Sequence, residues 1–294
     1  MYLDSFVFPD EDWEWNARLA EKRTCYNTMY PMGVLSGIGL ERLDFAPITI
    51  LYGGNGTGKT TALNVMAAKL GLLRDTPGNS STFMEAYVRA CRANLEEDIP
   101  AHSRMVTSDD VFDDLLDLRS LNEGIDLDRQ ALLREYKDLR SQGFQLRSLD
   151  DYGHLKKVIS AQRNTGSAFV RQELGGELRG KSNGETALAY FTSRVTEGRL
   201  YLLDEPENSL SADYQQALAR FLEDSARFYR CQLVIATHSP FLLALKGAAV
   251  YDLDAQPPCR RPWRELPAMQ TWAAFFRAHQ GEWEDDKEEN HETR

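Results

Sequence analysis

Three things are scarce in this 294-residue sequence, and each scarcity removes a class of function. Cysteine is the first: Cys25, Cys91, Cys231 and Cys259 stand far apart, with no C-x-x-C pair and no histidine at ligand spacing. That spacing suits neither a zinc site nor a disulfide framework, and it leads us to expect free thiols in a cytoplasmic protein. Long apolar runs are also missing, and none approaches the roughly 20 residues a membrane-spanning helix needs. The stretch Met1 to Glu21 carries Asp4, Asp10, Glu11, Asp12 and Glu14, unlike a cationic secretory leader. Positive charge is the third shortage, with 34 Lys and Arg against 45 Asp and Glu and a net charge of −11. Glu282 to Arg294 alone holds seven acidic and two basic side chains and reads as a solvated, disordered tail. What remains is still acidic, which is not the footprint of a general DNA-binding domain. One stretch runs the other way: Leu155 to Lys181 has Lys156, Lys157, Arg163, Arg171, Arg179 and Lys181 against Glu173 and Glu177. It suits either a solvated helix face or a contact to phosphates. No H-N-H-type cluster or set of metal-binding histidines is present, so nuclease chemistry would have to come from another chain.

Among the motifs present, one is complete. Gly53, Gly54, Asn55, Gly56, Thr57, Gly58, Lys59 and Thr60 spell G-x-x-x-x-G-K-[ST] directly behind the apolar run Ile48 to Leu51. Each position has a mechanical role. The glycines allow φ > 0 and turn backbone N–H groups around a polyphosphate. Lys59 reaches the β- and γ-phosphates, and Thr60 offers a hydroxyl to Mg²⁺. Thr61 opens a stretch to Leu72 with Leu63, Met66 and Leu70 on one face, an amphipathic helix whose positive end points at the phosphates. The motif implies a nucleoside triphosphate, and Gly53 to Thr61 are the expected contacts.

The run Leu200 to Leu203 is uniformly apolar and bounded by charge, as suits a central parallel strand buried on both faces. Asp204 emerges at its carboxyl end, where a carboxylate can hold Mg²⁺ together with Thr60. Glu205 follows, placed to orient and polarise an attacking water, and Pro206 ends the strand. Gln232 to Thr237 forms a second apolar strand that delivers His238 to the same edge, 33 residues after Glu205, for contact with a γ-phosphate. Ser239 and Pro240 make a cap and first position for a helix through Leu245. Between these motifs, Ser182, Asn183, Gly184 and Glu185 read as a helix N-cap with its capping box.

The order of these motifs resembles the ABC-type ATPase fold from about Tyr2 to Asp254, with S-x-G-E placed 22 residues before Asp204. In this resemblance Ser182 to Glu185 match the signature motif, Asn208-Ser209-Leu210-Ser211 the D-loop, and His238 the switch histidine. It implies an α/β P-loop NTPase with a central, mostly parallel sheet, a flanking antiparallel β-subdomain and a helical subdomain. It also implies ATP and Mg²⁺ as ligands and a homodimer that pairs head to tail. The signature Ser182, Gly184 and Glu185 of one copy would then close over the phosphates held by the other. S-N-G-E and D-E-P-E-N are closer to the soluble SMC-like and stand-alone bacterial AAA-family branch than to transporters. No Q-loop glutamine is found; Ser108-Asp109-Asp110, after the strand-like Met105-Val106-Thr107, stand in its place. Tyr26 and Tyr30 are the candidates for stacking on adenine.

Elsewhere, Tyr2 to Phe8 and Gly39 to Phe45 alternate like antiparallel strands. Phe83 to about Ile159 reads as mostly helical, part of a subdomain inserted at about 83–180 of an ATPase domain spanning 1–255. The acidic Glu96 to Asp117 suits a solvated face. Gln256-Pro257-Pro258 reads as a linker to a docking segment, 256–281, with Trp272, Phe275 and Phe276, followed by the acidic tail 282–294. The expected function is a soluble ATPase that controls a partner, such as an effector encoded nearby, in DNA repair or antiviral defence. The alternatives are the ATP-binding subunit of a membrane transporter and an ATP sensor that does not hydrolyse.

Overall fold

The structure is a computed structural model that describes residues 1–22, 28–114 and 183–282, with residues 116 and 134. The chain divides into two compact units, Met1–Val111 with Ala187–Arg294, and Phe112–Thr186. The first is built on two sheets. A three-stranded antiparallel sheet has the order β2-β1-β4, from Arg42–Asp44, Leu3–Val7 and Arg92–Leu95. A six-stranded sheet has the order β5-β6-β7-β3-β8-β9, from Arg104–Thr107, Leu200–Asp204, Gln232–Ala236, Ile48–Tyr52, Ala249–Asp252 and Cys259–Arg260. Every pairing in it is parallel except β8 with β9.

The centre of the large sheet follows directly from composition. All five residues of β3, of β6 and of β7 are buried, which requires strands apolar on both faces. Helix α2, Lys59–Leu70, follows β3 and buries Ala62, Leu63, Val65, Met66 and Ala67 in the main core. It ends at Gly71, whose φ of 63° closes the last turn. Helix α5, Ala212–Phe228, leads from β6 to β7 and packs through Leu218 and Leu222. Between β5 and β6 comes α4, Asn183–Arg194, counted in the first unit from Ala187 on. Its Tyr190 hydroxyl donates to Asp75 at 3.0 Å, an oxygen also 3.2 Å from Arg194.

One buried amide, with the Tyr251 hydroxyl at Asp44, links the small sheet to the large one. Gln232 is 2% exposed; its Oε1 accepts from the N–H groups of Tyr2 (2.9 Å) and Leu3 (2.8 Å), and its Nε2 donates to the Leu3 carbonyl at 2.7 Å. Buried backbone groups left without partners cost about 1–3 kcal/mol each. Gln232→Leu is therefore expected to lose about 3 kcal/mol, or roughly 6–12 °C in melting temperature for a domain of this size. A calorimetric shift below about 3 °C would show that the amide does not hold the sheets together.

Several elements differ from the sequence expectation. Helix α1, Glu11–Ala20, occupies the acidic stretch near the start; Asp10 caps it by accepting from the Trp13 N–H, and its first turn holds Glu11, Asp12 and Glu14. The acids there are a helix start signal as much as a charge count. The region from Phe83 is not continuously helical, since α3, Met84–Ala90, runs straight into β4. Strand β4 is an edge of mostly exposed residues, so it carries no apolar alternation and exists by pairing with β1. Leu40 and Glu41 are not in a strand, because Gly39 takes φ 74° to end a 3₁₀ turn over Ser36–Ile38. Gln256-Pro257-Pro258 is not a linker leading away but part of the turn between the antiparallel β8 and β9. Beyond it, helix α6, Pro267–Ala278, buries Met269 and follows the buried Leu266, while Trp272, Phe275 and Phe276 are exposed. The basic segment Leu155 to Lys181, most of the expected helical insertion and the tail from residue 283 lie outside the described residues.

Candidate functional site

Strands β6, β7 and β3 are adjacent and parallel, so their carboxyl ends bring Asp204, His238 and the glycine loop to one edge. The ladder continues into the site: the Glu205 N–H donates to the Ala236 carbonyl (2.8 Å) and the Thr237 N–H to the Leu51 carbonyl (3.3 Å). Open α/β sheets bind ligands at such an edge.

Gly53 to Gly58 form the turn between β3 and α2, and Gly58 stands at the N-cap with φ 88°. A side chain at Gly58 would place its Cβ 2.9 Å from Leu35 Cδ2 and 3.1 Å from Val34 Cγ1, so the loop rests on that segment. The segment is held in turn by buried Glu14 of α1, which accepts from the Gly33 N–H (2.7 Å) and the Ser36 hydroxyl (2.8 Å). Gly56 also has positive φ, 84°, but faces open space. Gly56→Ala should therefore pay only backbone strain of about 1–2 kcal/mol, whereas Gly58→Ala adds a clash. We expect nucleotide affinity to fall at least about ten-fold more in Gly58→Ala, a further 1.4 kcal/mol or so. Equal affinities by fluorescent-nucleotide titration would refute the packing argument.

Lys59 is 4% exposed, and its ammonium donates to the carbonyls of Gly53 (2.8 Å) and Gly54 (3.0 Å). Burial pulls its pKa down, while Glu205, Asp204, Asp254 and Glu207 push back. Thr60 is the next residue of the helix, and its hydroxyl donates to Asp204 Oδ1 at 3.2 Å. Thr61 is buried behind it in the first turn. Burial pushes the Asp204 carboxyl up to about 6, against the opposing pull of the Thr60 hydroxyl. A buried carboxylate beside a hydroxyl is a hard-oxygen pair that a divalent cation would satisfy. Thr60 and Asp204 thus fit Mg²⁺ in chemistry and position.

Glu205 has φ 47°, in the left-handed region that non-glycine residues seldom adopt. Its Oε2 accepts from Asn208 Nδ2 at 3.0 Å, and its Oε1 lies 3.5 Å from His238 Nε2. That separation is too long for a good hydrogen bond, and both side chains remain partly exposed at 30% and 38%. The His238 ring also meets Tyr52 edge-on, with centroids 6.3 Å apart.

The structure thus brings together Gly53 to Thr61, Asp204, Glu205 and His238. Gly184 and Glu185 lie in the first turn of α4, which begins at Asn183 within the second unit, while Ser182 lies outside the described residues. Tyr26 is likewise outside them; Tyr30 accepts a hydrogen bond from Asn64 Nδ2 at 3.2 Å. Asp110 is buried and not part of a solvated acidic face, since its carboxylate accepts from the Thr76 (2.9 Å) and Thr107 (2.7 Å) N–H groups. Among the described residues no group of three or more His, Cys, Asp or Glu could hold a metal ion.

Two site residues escaped the sequence reading. The Asp254 carboxylate accepts from the Gly54 N–H at 2.8 and 3.1 Å, holding the glycine loop from 200 residues away. No local pattern announces such a contact. Glu207 is buried behind the acidic strand, with three donors on one oxygen. A third acid so close to the Asp204-Glu205 pair was visible in the sequence, but its direction was not.

A glycine loop, a paired hydroxyl and carboxylate, and a glutamate facing a histidine meet at one sheet edge, an arrangement that suits a P-loop NTPase. The family described as "AAA domain, putative AbiEii toxin, Type IV TA system" matches residues 85–244, more than half of the chain, and the chain belongs to it. No curated protein matches the sequence. Among solved structures, the chain is similar to a cobalt transport ATP-binding protein (cbiO-2), with 20% identity, a TM-score of 0.35, and 76% of this chain and 72% of that one covered. An inward-facing metal-chelate type ABC transporter shares 17% identity at a TM-score of 0.33, over 77% and 76% of the two chains. The Smc head domain of Pyrococcus furiosus, bound to the C-terminal domain of ScpA, shares 12% identity at a TM-score of 0.38, over 80% and 94%. No helix among the described residues is long and apolar enough to cross a membrane.

Proposed function

We propose that this chain binds ATP with Mg²⁺ and hydrolyses it, and that two copies close head to tail around the nucleotide. The observation that carries this reading is the convergence of Thr60 with Asp204, and of Glu205 with His238, at the ends of three adjacent parallel strands. Backbone N–H groups from Asn55 to Thr61 and the Lys59 ammonium would hold the β- and γ-phosphates, the ammonium in place of the carbonyls it now meets. Thr60 and Asp204 would hold Mg²⁺, which withdraws charge from the phosphate oxygens when bound. Glu205 orients the attacking water and takes its proton on a carboxylate oxygen. His238 contacts the γ-phosphate and senses its loss. The Ser182, Gly184 and Glu185 motif of the second copy completes the site from the other side.

The cycle would control a partner in DNA repair or antiviral defence, within the cytoplasm. The family description supports a defence setting, since it names a toxin of a type IV toxin–antitoxin system. The placement of Phe112–Thr186 in a unit of its own supports an inserted subdomain within an ATPase domain of about 1–255. Phosphate release from the purified chain with ATP and Mg²⁺, with partners captured from the source cell, tests the reading. Recovery of membrane permeases alone would defeat it.

A further inference from the structure

The turn after β6 fastens both candidate catalytic groups at once. Glu207 is 9% exposed, and its Oε1 accepts from the Thr237 hydroxyl (2.6 Å), the His238 N–H (2.6 Å) and the Ser239 N–H (3.1 Å). Asn208, the next residue, holds Glu205 Oε2 at 3.0 Å. Glu205 Oε1 in turn faces His238 Nε2 at 3.5 Å. The contacts run in a ring: Glu205 to His238 through space, His238 to Glu207 through its backbone, and Asn208 back to Glu205. A second tie lies alongside, because the Ser239 hydroxyl donates to Gln215 Oε1 (2.7 Å), while Gln215 Nε2 donates to the Leu210 carbonyl (3.0 Å).

We propose that Glu207 is a positioning residue that fixes the His238 loop against Glu205, a role that rests on the ATPase reading given above. An anion suits this place because three donors converge on a single oxygen, and charge-assisted bonds are the stronger kind. Its second oxygen is buried without a hydrogen-bond partner among the described residues, which costs stability. Packing alone would not select such a residue. The carboxylate holds the loop in one place, while the His238 side chain is partly exposed but keeps its Nε2 buried without a hydrogen bond among the described residues.

The test compares wild type, Glu207→Ala, Glu207→Gln and Thr237→Val by fluorescent-nucleotide binding, phosphate release and the His238 side-chain resonance. The protein has five histidines, so ¹³C-histidine labelling with a His238→Asn control assigns that signal. Glu207→Ala is expected to slow phosphate release at least ten-fold, with nucleotide affinity held within about three-fold, and to displace the His238 signal while the other histidine signals stay put. Glu207→Gln keeps an acceptor oxygen for the same donors and should recover the His238 signal and most of the rate. Thr237→Val removes one donor from the other side, so it should also move the signal, and it decides the matter if Glu207→Ala does not fold. An unmoved His238 signal in folded Glu207→Ala or Thr237→Val overturns the proposal, and so does a moved signal with an unchanged rate. If wild type releases no phosphate, the ATPase reading fails, while the His238 signal still decides whether Glu207 positions the loop.

Discussion

Glu205→Gln is expected to slow phosphate release at least about a hundred-fold while leaving ATP affinity within a few-fold of wild type. The geometry separates the two effects. Among the described residues Glu205 has no hydrogen bond to the glycine loop; its oxygens face Asn208 and His238. Glutamine keeps its shape and an oxygen for Asn208, so the turn at φ 47° and its bond to Ala236 should persist. What disappears is a carboxylate able to take the proton of an attacking water, a contribution of typically 10²–10⁴ in rate. With hydrolysis stopped and binding retained, the nucleotide-bound form accumulates. The same variant should therefore elute as a dimer when ATP and Mg²⁺ are present and as a monomer without them. Unchanged phosphate release would remove Glu205 from the mechanism. A monomer with bound ATP would instead defeat the head-to-tail pairing and leave the chemistry intact.

The three strands that carry this site were readable from composition, because β3, β6 and β7 are buried along their whole lengths and their residues are apolar nearly throughout. A strand of that kind has few other places to go, and the motif at its end travels with it. Strand β4 has the opposite character. Arg92-Ala93-Asn94-Leu95 shows no strand pattern and is made by its partner β1. Contacts that depend on direction were equally hidden. Glu207 turns back toward residues 237–239, and Asp254 reaches Gly54 across the β3–β8 pairing; spacing predicts neither. Gln232 reads as the first residue of an apolar strand, yet its amide joins the two sheets. The register between the strands sets these partners, and it exists only in the assembled sheet.

Lys59→Met is expected to remove ATP binding almost entirely, by at least about a hundred-fold in affinity, which corresponds to roughly 2.7 kcal/mol. Hydrogen bonds to charged groups contribute about 1.5–3 kcal/mol each, and the ammonium is placed to make more than one to phosphate. Methionine keeps the apolar stem packed in its buried position, so the loss reads charge and not volume. A second consequence follows from the neighbours. Lys59 pulls the Asp204 carboxyl down against the effect of burial, so without it Asp204 holds its proton to higher pH. Mg²⁺ binding should weaken together with nucleotide binding, and raising the metal concentration should restore part of the affinity. Burial outweighs the nearby carboxylates and leaves the Lys59 pKa below its ordinary value, so the charged ammonium opposes folding and the nucleotide-free fold of Lys59→Met should lose no stability near neutral pH. Calorimetric titration with ATP and Mg²⁺, read beside the melting curve, checks both parts. Affinity within three-fold of wild type would mean that the phosphates are held by backbone groups alone, and that Lys59 serves only to close the loop through the Gly53 and Gly54 carbonyls.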